Sequence, residues 1–221
     1  MPQPTPRSHG AGAFLPATVW LAPFTARAAS APTASARAVV PSWALARVRA
    51  EFTHRPGRTP LPLLNLALPG TEPGGNAQPS HPGANPGPWP RPHPGPAVVL
   101  AQLPPDGARG VCRGGPVTGG LDEGVPGFFH RVHRLLRRDG GLLLAACRQQ
   151  HEAAGELLDP AGRLTACARS AGFVYRQHIL IVHATADGSR LHPTPDAPAP
   201  QPAGVWRHRL LHTDLLLFTL A

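Results

Sequence analysis

The stretch His130-Arg131-Val132-His133-Arg134-Leu135-Leu136-Arg137-Arg138 gathers most of the chain's concentrated positive charge. On a helix, residues three and four apart are neighbours, so Arg131, Arg134 and Arg138 share a face with His130 and His133. Such a face is first of all a solvated helix surface, and secondarily a weak, sequence-independent contact for nucleic-acid phosphates. A second group follows a short apolar run: Gln102-Leu103-Pro104-Pro105-Asp106. Its proline pair cannot continue a strand and forms a stiff turn. A third is Asn65, in the run "LLNLALPG" that ends at Gly70. Asn65 reads as an ordinary strand or turn residue. His151, His178, His183 and His192 lack the spacing of metal ligands, so none is assigned to a metal. Cys112, Cys147 and Cys167 form no CxxC pair and are odd in number, which argues against a disulfide framework or a zinc site. Ser170 has no nucleophile elbow around it, which removes the hydrolase reading.

Composition restricts what can position these groups. The chain has 221 residues and a formal net charge of +9, yet all 21 basic residues are arginine. That bias, with abundant Pro, Ala and Gly, fits GC-rich coding better than it fits a polyanion partner. Ten prolines and six glycines fall among the 28 residues from Pro69 to Pro96. This segment cannot bury enough apolar surface to offset its ordering entropy, and reads as a disordered linker. Residues 1–38 read as a disordered or extended segment with one apolar island, "FLPATVWLAPF". No apolar run reaches the roughly 20 residues of a membrane-spanning helix. Nor is there a secretory signal pattern, so the expectation is a cytoplasmic protein with no membrane partner.

Residues 39–68 read as one helix–strand unit. Pro41 opens a helix in which Leu45, Val48 and Phe52 share a face and Arg47 reaches Glu51; the strand-like "LPLLNLALPG" follows. In the C-terminal half, residues 97–221, Ala97–Ala101 has the length of a buried strand. Val125, Phe128, Phe129, Val132, Leu135 and Leu136 then form an apolar stripe that predicts a helix over 125–138. Gly140 or Gly141 supplies its left-handed cap, and "LLLAAC" reads as a central strand covered on both faces. A second helix is punctuated by Asp159 at its N-cap, Pro160 at its first position and Gly172 after its last turn. Leu164, Cys167, Ala168 and Ala171 form its inner face. "FVYRQHILIVHATA" and "DLLLFTL" are strands, separated by the proline-rich stretch 193–202. The succession implies a mainly parallel sheet ending in an antiparallel hairpin.

With a proline pair after one strand and "LLRRDGGLLLAA" after the next helix, this order resembles class I S-adenosylmethionine-dependent methyltransferases. More narrowly it is similar to the branch that methylates the exocyclic amine of DNA cytosine or adenine. "AGFVYRQHILIVHA" and "HTDLLLF" resemble that group's closing segments. The resemblance implies a partial, Rossmann-like α/β fold and S-adenosylmethionine as cofactor. It places Asn65 and Gly70 at the cofactor turn, and Leu103-Pro104-Pro105-Asp106 at the tetrad that accepts the target base, with Gln102 one place before it.

Against the family pattern, Leu103 stands where a hydrogen-bond acceptor activates the amine, and Asp106 where an aromatic ring stacks on the extruded base. Gln102 is the nearest acceptor, but strand alternation points it to the opposite face. Asn65 replaces an acid, and Gly70 is the only glycine of the turn. Asp139 stands where proline is usual before the glycine pair. About forty residues separate Asn65 from Pro104, too few for the family's second and third strands. The expectation is a degenerate methyltransferase-like protein whose cofactor binding and catalysis are lost, kept as a nucleic-acid-binding or interaction module. The alternatives are an active DNA or RNA amino-methyltransferase and a gene product without function.

Overall fold

In a computed structural model, the protein is described at residues 17–24, 39–58, 60–67, 95–103, 111–112, 124–151, 157–195, 197 and 211–221. The fold is mixed α/β. Its centre is a six-stranded sheet in the order β1 (Ala17–Leu21), β7 (Phe173–Val182), β10 (His212–Leu220), β4 (Leu142–Cys147), β3 (Val98–Gln102), β2 (Leu63–Ala67). The pairs β1–β7, β2–β3 and β3–β4 are parallel, while β10 is antiparallel to both β4 and β7. Five strands therefore point one way. The last strand in the chain threads between two earlier ones. Two small hairpins lie outside this sheet: β5 (Gln150–His151) with β6 (Leu157–Leu158), and β8 (Ala184–Asp187) with β9 (Arg190–Pro193).

Each face of the sheet buries a separate apolar layer. One face carries Val98, Leu100, Leu144, Ala146, Leu215, Ile179 and Ile181 against α1 (Ser42–Val48), whose Ala44 and Val48 are buried. A π-helical turn over Arg49–Thr53 extends α1. It brings Phe52 to 6.4 Å from the ring of Trp20 on β1, while Arg47 stacks 4.6 Å above that indole and pairs with Glu51. The other face carries Val99, Ala101, Leu143, Ala145, Cys147, Leu216 and Phe218. It is covered by α2 (Gly124–Leu135) through Phe128, Phe129 and Val132, and by α3 (Ala161–Ser170) through Leu164, Cys167 and Ala168. Burying a phenylalanine such as Phe129 completely is worth about 1.5–3 kcal/mol, so α2 is held mainly by its stripe. Because β4 is covered on both sides, "LLLAAC" is apolar at every position.

The corner joining α2 to β4 departs from the expected helix. α2 ends at Leu135, and Arg137 and Arg138 lie in the following turn. The chain leaves the helix early because Arg137 N–H bonds to Pro96 O at 3.2 Å, outside the helix. Gly140 takes the left-handed conformation, with φ of 82°. Gly141 is required for a different reason, since a Cβ there would lie 2.5 Å from Arg137 O. Asp139 accepts two hydrogen bonds from the Arg137 guanidinium. That partner holds its carboxyl below the usual carboxylate range.

Elsewhere the differences are local. The helical residues of α3 begin at Ala161, with Pro160 at the capping position, and the Asp159 carboxylate still accepts from Ala161 N–H at 3.0 Å. α1 likewise begins at Ser42, after Pro41. The apolar island near the N-terminus is strand β1, whose Trp20 is buried. Most of the proline-rich stretch 69–96, up to residue 94, lies outside the described residues. Among the described residues no helix is long and apolar enough to cross a membrane.

Candidate functional site

Open parallel sheets bind ligands outside the carboxyl ends of their strands. Here β2 and β3 end side by side, with Ala67 paired to Gln102 and Asn65 to Leu100. Asn65 and Gln102 are the polar residues of two otherwise apolar strands, and both face the α1 side. The Gln102 amide donates to Asn65 Oδ1 at 2.8 Å, and its carbonyl accepts from Val40 N–H at 3.1 Å. Gln102 thus links Asn65 to the segment leading into α1. Leu103 turns to the opposite face, where it is 1% exposed in the core, and its backbone N–H bonds to Ala146 O at 2.8 Å. It offers no side-chain acceptor to a ligand. Pro104, Pro105, Asp106 and Gly70 lie outside the described residues.

The Val39–Val40 peptide is gripped from its other side as well. Val39 O accepts from Arg148 Nη2 at 2.9 Å and from the Thr213 hydroxyl at 3.0 Å. Arg148 Nε also donates to Thr213 Oγ1 at 2.9 Å, and His183 Nε2 lies 2.8 Å from the same hydroxyl. Thr213 and His183 are buried. On this face, then, the polar groups at the carboxyl ends of β3, β4 and β7 are spent on internal bonds. Arg148 directly follows β4, a place where a guanidinium can meet a buried carbonyl without leaving the sheet.

The arginine face is only partly assembled. Arg131 and Arg134 are on α2, with Arg131 half-buried and Arg134 exposed. Arg138 is exposed but lies beyond the helix, so the three do not form one helical row. His133 is turned inward, edge-on to Phe173 with ring centres 5.4 Å apart. Burial, then the nearby charges of His130 and Arg138, lower its pKa below the ordinary 6.5. That lowering describes a histidine used for packing.

The opposite face of the carboxyl edge holds a constellation that residue spacing alone did not reveal. His178 Nε2 lies 2.8 Å from Asp214 Oδ1, and His212 Nε2 lies 3.7 Å from the same atom. The local cause is a bulge. Between Leu217 and Phe218 the register of β10 on β7 shifts, so that Leu217 meets Gln177 and Phe218 meets Tyr175. Phe173 and Tyr175 then face α3, while Ile179 and Ile181 face α1. Strict alternation would have put all four on one side; the extra residue, Arg176, turns His178 toward Asp214. A signal did exist in the sequence: a lone aspartate opening an apolar strand must find a partner. Cys147 faces Asp214 across the β4–β10 pair, and burial first, the carboxylate second, push its thiol well up. It is an inert core residue. Among the described residues no group of three His, Cys, Asp or Glu side chains could hold a metal ion. Comparison adds no relative: no protein-family model matches the chain, and no curated protein is significantly similar to it.

Proposed function

We propose that the chain is a cytoplasmic, methyltransferase-like α/β protein that has no methyl-transfer activity and serves as a binding or interaction module. The observation that carries this reading is the Asn65–Gln102–Val40 bonding. Methyl transfer requires a cofactor and an acceptor amine held within bonding distance, since positioning supplies much of the acceleration. The adjacent ends of β2 and β3 are where the resemblance puts both. Yet the Asn65 oxygen already accepts from Gln102, the Gln102 carbonyl already accepts from a backbone N–H, and Leu103 lies in the core. The residues present therefore do not fit S-adenosylmethionine: no acidic side chain in β2 meets its polar groups, and the nearest amide is already bonded. The amine of a base would likewise meet no side-chain acceptor at Leu103, and at Gln102 only a carbonyl already bonded to Val40 N–H.

What the chain keeps is scaffold. Its helix-to-strand corner with a glycine pair, its strand before the proline pair, and its antiparallel final strand all agree with the resemblance. The binding component is weak and non-specific contact of Arg131, Arg134 and Arg138 with nucleic-acid phosphates. Its affinity falls steeply with salt, and neutralising the three together flattens that dependence. Equal affinity in the triple variant returns the basicity to composition.

Transfer of labelled methyl from S-adenosylmethionine to mixed DNA and RNA tests the catalytic half of the proposal. No incorporation is expected. Incorporation that disappears on changing Pro104-Pro105 to Ala-Ala would establish the active alternative. A protein that fails to give a cooperative, soluble melt would instead favour a product without function.

A further inference from the structure

The helices α1, α2 and α3 each lead into a parallel strand, so each delivers its C-terminal end to the amino edge of the sheet. Arginines stand where they arrive. The turn after α1 carries Arg55 and Arg58, the end of α2 and its corner carry Arg134, Arg137 and Arg138, and the last turn of α3 carries Arg169. These segments are neighbours in space. β2 and β4, which the first two enter, flank β3, and a Cβ on Gly172, just after α3, would lie 3.1 Å from His133 Nε2 of α2. The Asp139 carboxyl, held low first by its bond from Arg137, also feels the charge of Arg55. Arg55, Arg58, Arg134, Arg138 and Arg169 are exposed, and among the described residues none of them is in an ion pair. Asp139 is the one acid of this edge among the described residues. At and beyond the carboxyl ends, by contrast, Arg148, Arg163 and Arg190 are matched by Asp159, Asp187 and Asp214.

GC-rich coding supplies arginines, but it does not sort them to one edge of a fold. Helix dipoles account for Arg134 and Arg169, which sit in last turns, and not for Arg55, Arg58 or Arg138, which lie beyond the helices. We propose that this amino edge binds the phosphate backbone of a nucleic-acid duplex, Arg55, Arg58, Arg138 and Arg169 contacting successive phosphates. A guanidinium fork matches phosphate geometry, and an unopposed basic surface draws a polyanion to it. The kind of partner follows from what the edge lacks. The exposed large apolar side chains lie elsewhere: Val19, Leu21 and Phe24 on and after β1, and Leu157 and Leu191 in the small hairpins. A lipid surface takes cations backed by exposed apolar side chains, and a single strand takes exposed aromatic rings; among the described residues this edge presents neither. The proposal rests on the binding component of the proposed function. It moves the footprint from one face of α2 to a surface shared by the ends of three helices, away from the strand ends that carry Asn65 and Gln102.

Fluorescence anisotropy of a labelled blunt DNA duplex, titrated with the full chain at several salt concentrations, tests it. Each phosphate contact contributes about 0.9 to the slope of log affinity against log salt, so Arg55→Gln with Arg58→Gln should flatten that slope by about 1.8. Arg163→Gln with Arg190→Gln removes the same charge from the other end of the sheet and should leave the slope unchanged. Arg55→Lys with Arg58→Lys keeps the charge and should keep the slope, which separates a lost contact from a damaged fold. Unlabelled duplex should displace the probe better than a single strand of the same sequence, and phosphatidylserine vesicles should not displace it. Equal flattening in the two glutamine pairs, or displacement by single strand or vesicles as effective as by duplex, overturns the proposal. Binding that is lost when Arg131, Arg134 and Arg138 are neutralised but kept in the Arg55, Arg58 glutamine pair overturns this footprint and leaves the earlier reading standing. Absence of salt-dependent binding by the native chain overturns both.

Discussion

The corner between α2 and β4 and the paired ends of β2 and β3 are both joints of one sheet, built to opposite ends. At the corner, the backbone geometry is demanding and each residue answers a steric or hydrogen-bonding requirement: Gly140 by its φ, Gly141 by its lack of a Cβ, Asp139 by its bonds to Arg137. At the strand ends, the backbone is ordinary and the polar side chains answer one another and the Val40 backbone N–H. A ligand site shows the reverse pattern, with polar groups left open by a rigid frame. A frame and a ligand site are therefore separate properties, and the bonding of a few side chains distinguishes them.

The greatest loss is expected where the frame is densest. Phe129→Asp, at 0% exposure, buries a charge with no partner and should cost more than about 4 kcal/mol, enough to abolish the cooperative melt. Leu135→Asp should be milder, because Leu135 is only half-buried at the end of α2. Equal loss in the two would contradict the packing described for that helix. Next in size are the corner glycines. Gly141→Ala forces a methyl toward the Arg137 carbonyl and should cost about 1–3 kcal/mol. Gly140→Ala meets no atom within 4 Å, and only its left-handed φ is penalised, by about 1–2 kcal/mol. Denaturant melts of the pair separate steric from conformational demand.

The strand ends are probed by a double-mutant cycle. Gln102→Leu leaves both Asn65 Oδ1 and Val40 N–H unsatisfied and should cost about 1–3 kcal/mol. Adding Asn65→Leu removes one orphan, so the double variant should be more stable than the sum of the single changes predicts. Strict additivity would mean that the two residues do not work as a pair. A slighter effect concerns pH. The folded-state pKa of His133 is lowered, so the folded form resists a proton that the unfolded chain accepts. Its contribution is complete above the ordinary value near 6.5 and is lost as pH falls through the lowered one. Tm should therefore drop between about pH 7.5 and 5, with a shallower drop in His133→Gln; identical slopes would remove His133 as a cause.

Much of the frame was legible because its requirements are periodic. The stripe Phe128, Phe129, Val132 announces α2, and the unbroken run from Leu142 to Cys147 announces a strand covered on two sides. Alternation could not say which strands are neighbours, so the place of β10 between β7 and β4 was not readable. Nor could it anticipate the bulge at Arg176, which reverses the facing of every later residue of β7 and creates the His178–Asp214 contact. The candidate residues Asn65 and Gln102 were legible as polar exceptions in apolar strands. Their mutual hydrogen bond was not, because it depends on strand adjacency. The expected arginine row failed at Arg138 for a related reason: Arg137 bonds to Pro96, a partner distant in sequence, and the helix ends early.

If the ends of β2 and β3 hold each other and not a cofactor, S-adenosylmethionine has no seat at this edge. Calorimetric titration of S-adenosylmethionine into the purified full chain puts that to the proof. No saturable heat is expected at ordinary cellular concentrations of the cofactor. Saturable binding that is abolished by Asn65→Ala, with the melt otherwise preserved, would contradict the reading and restore this edge as a working cofactor site.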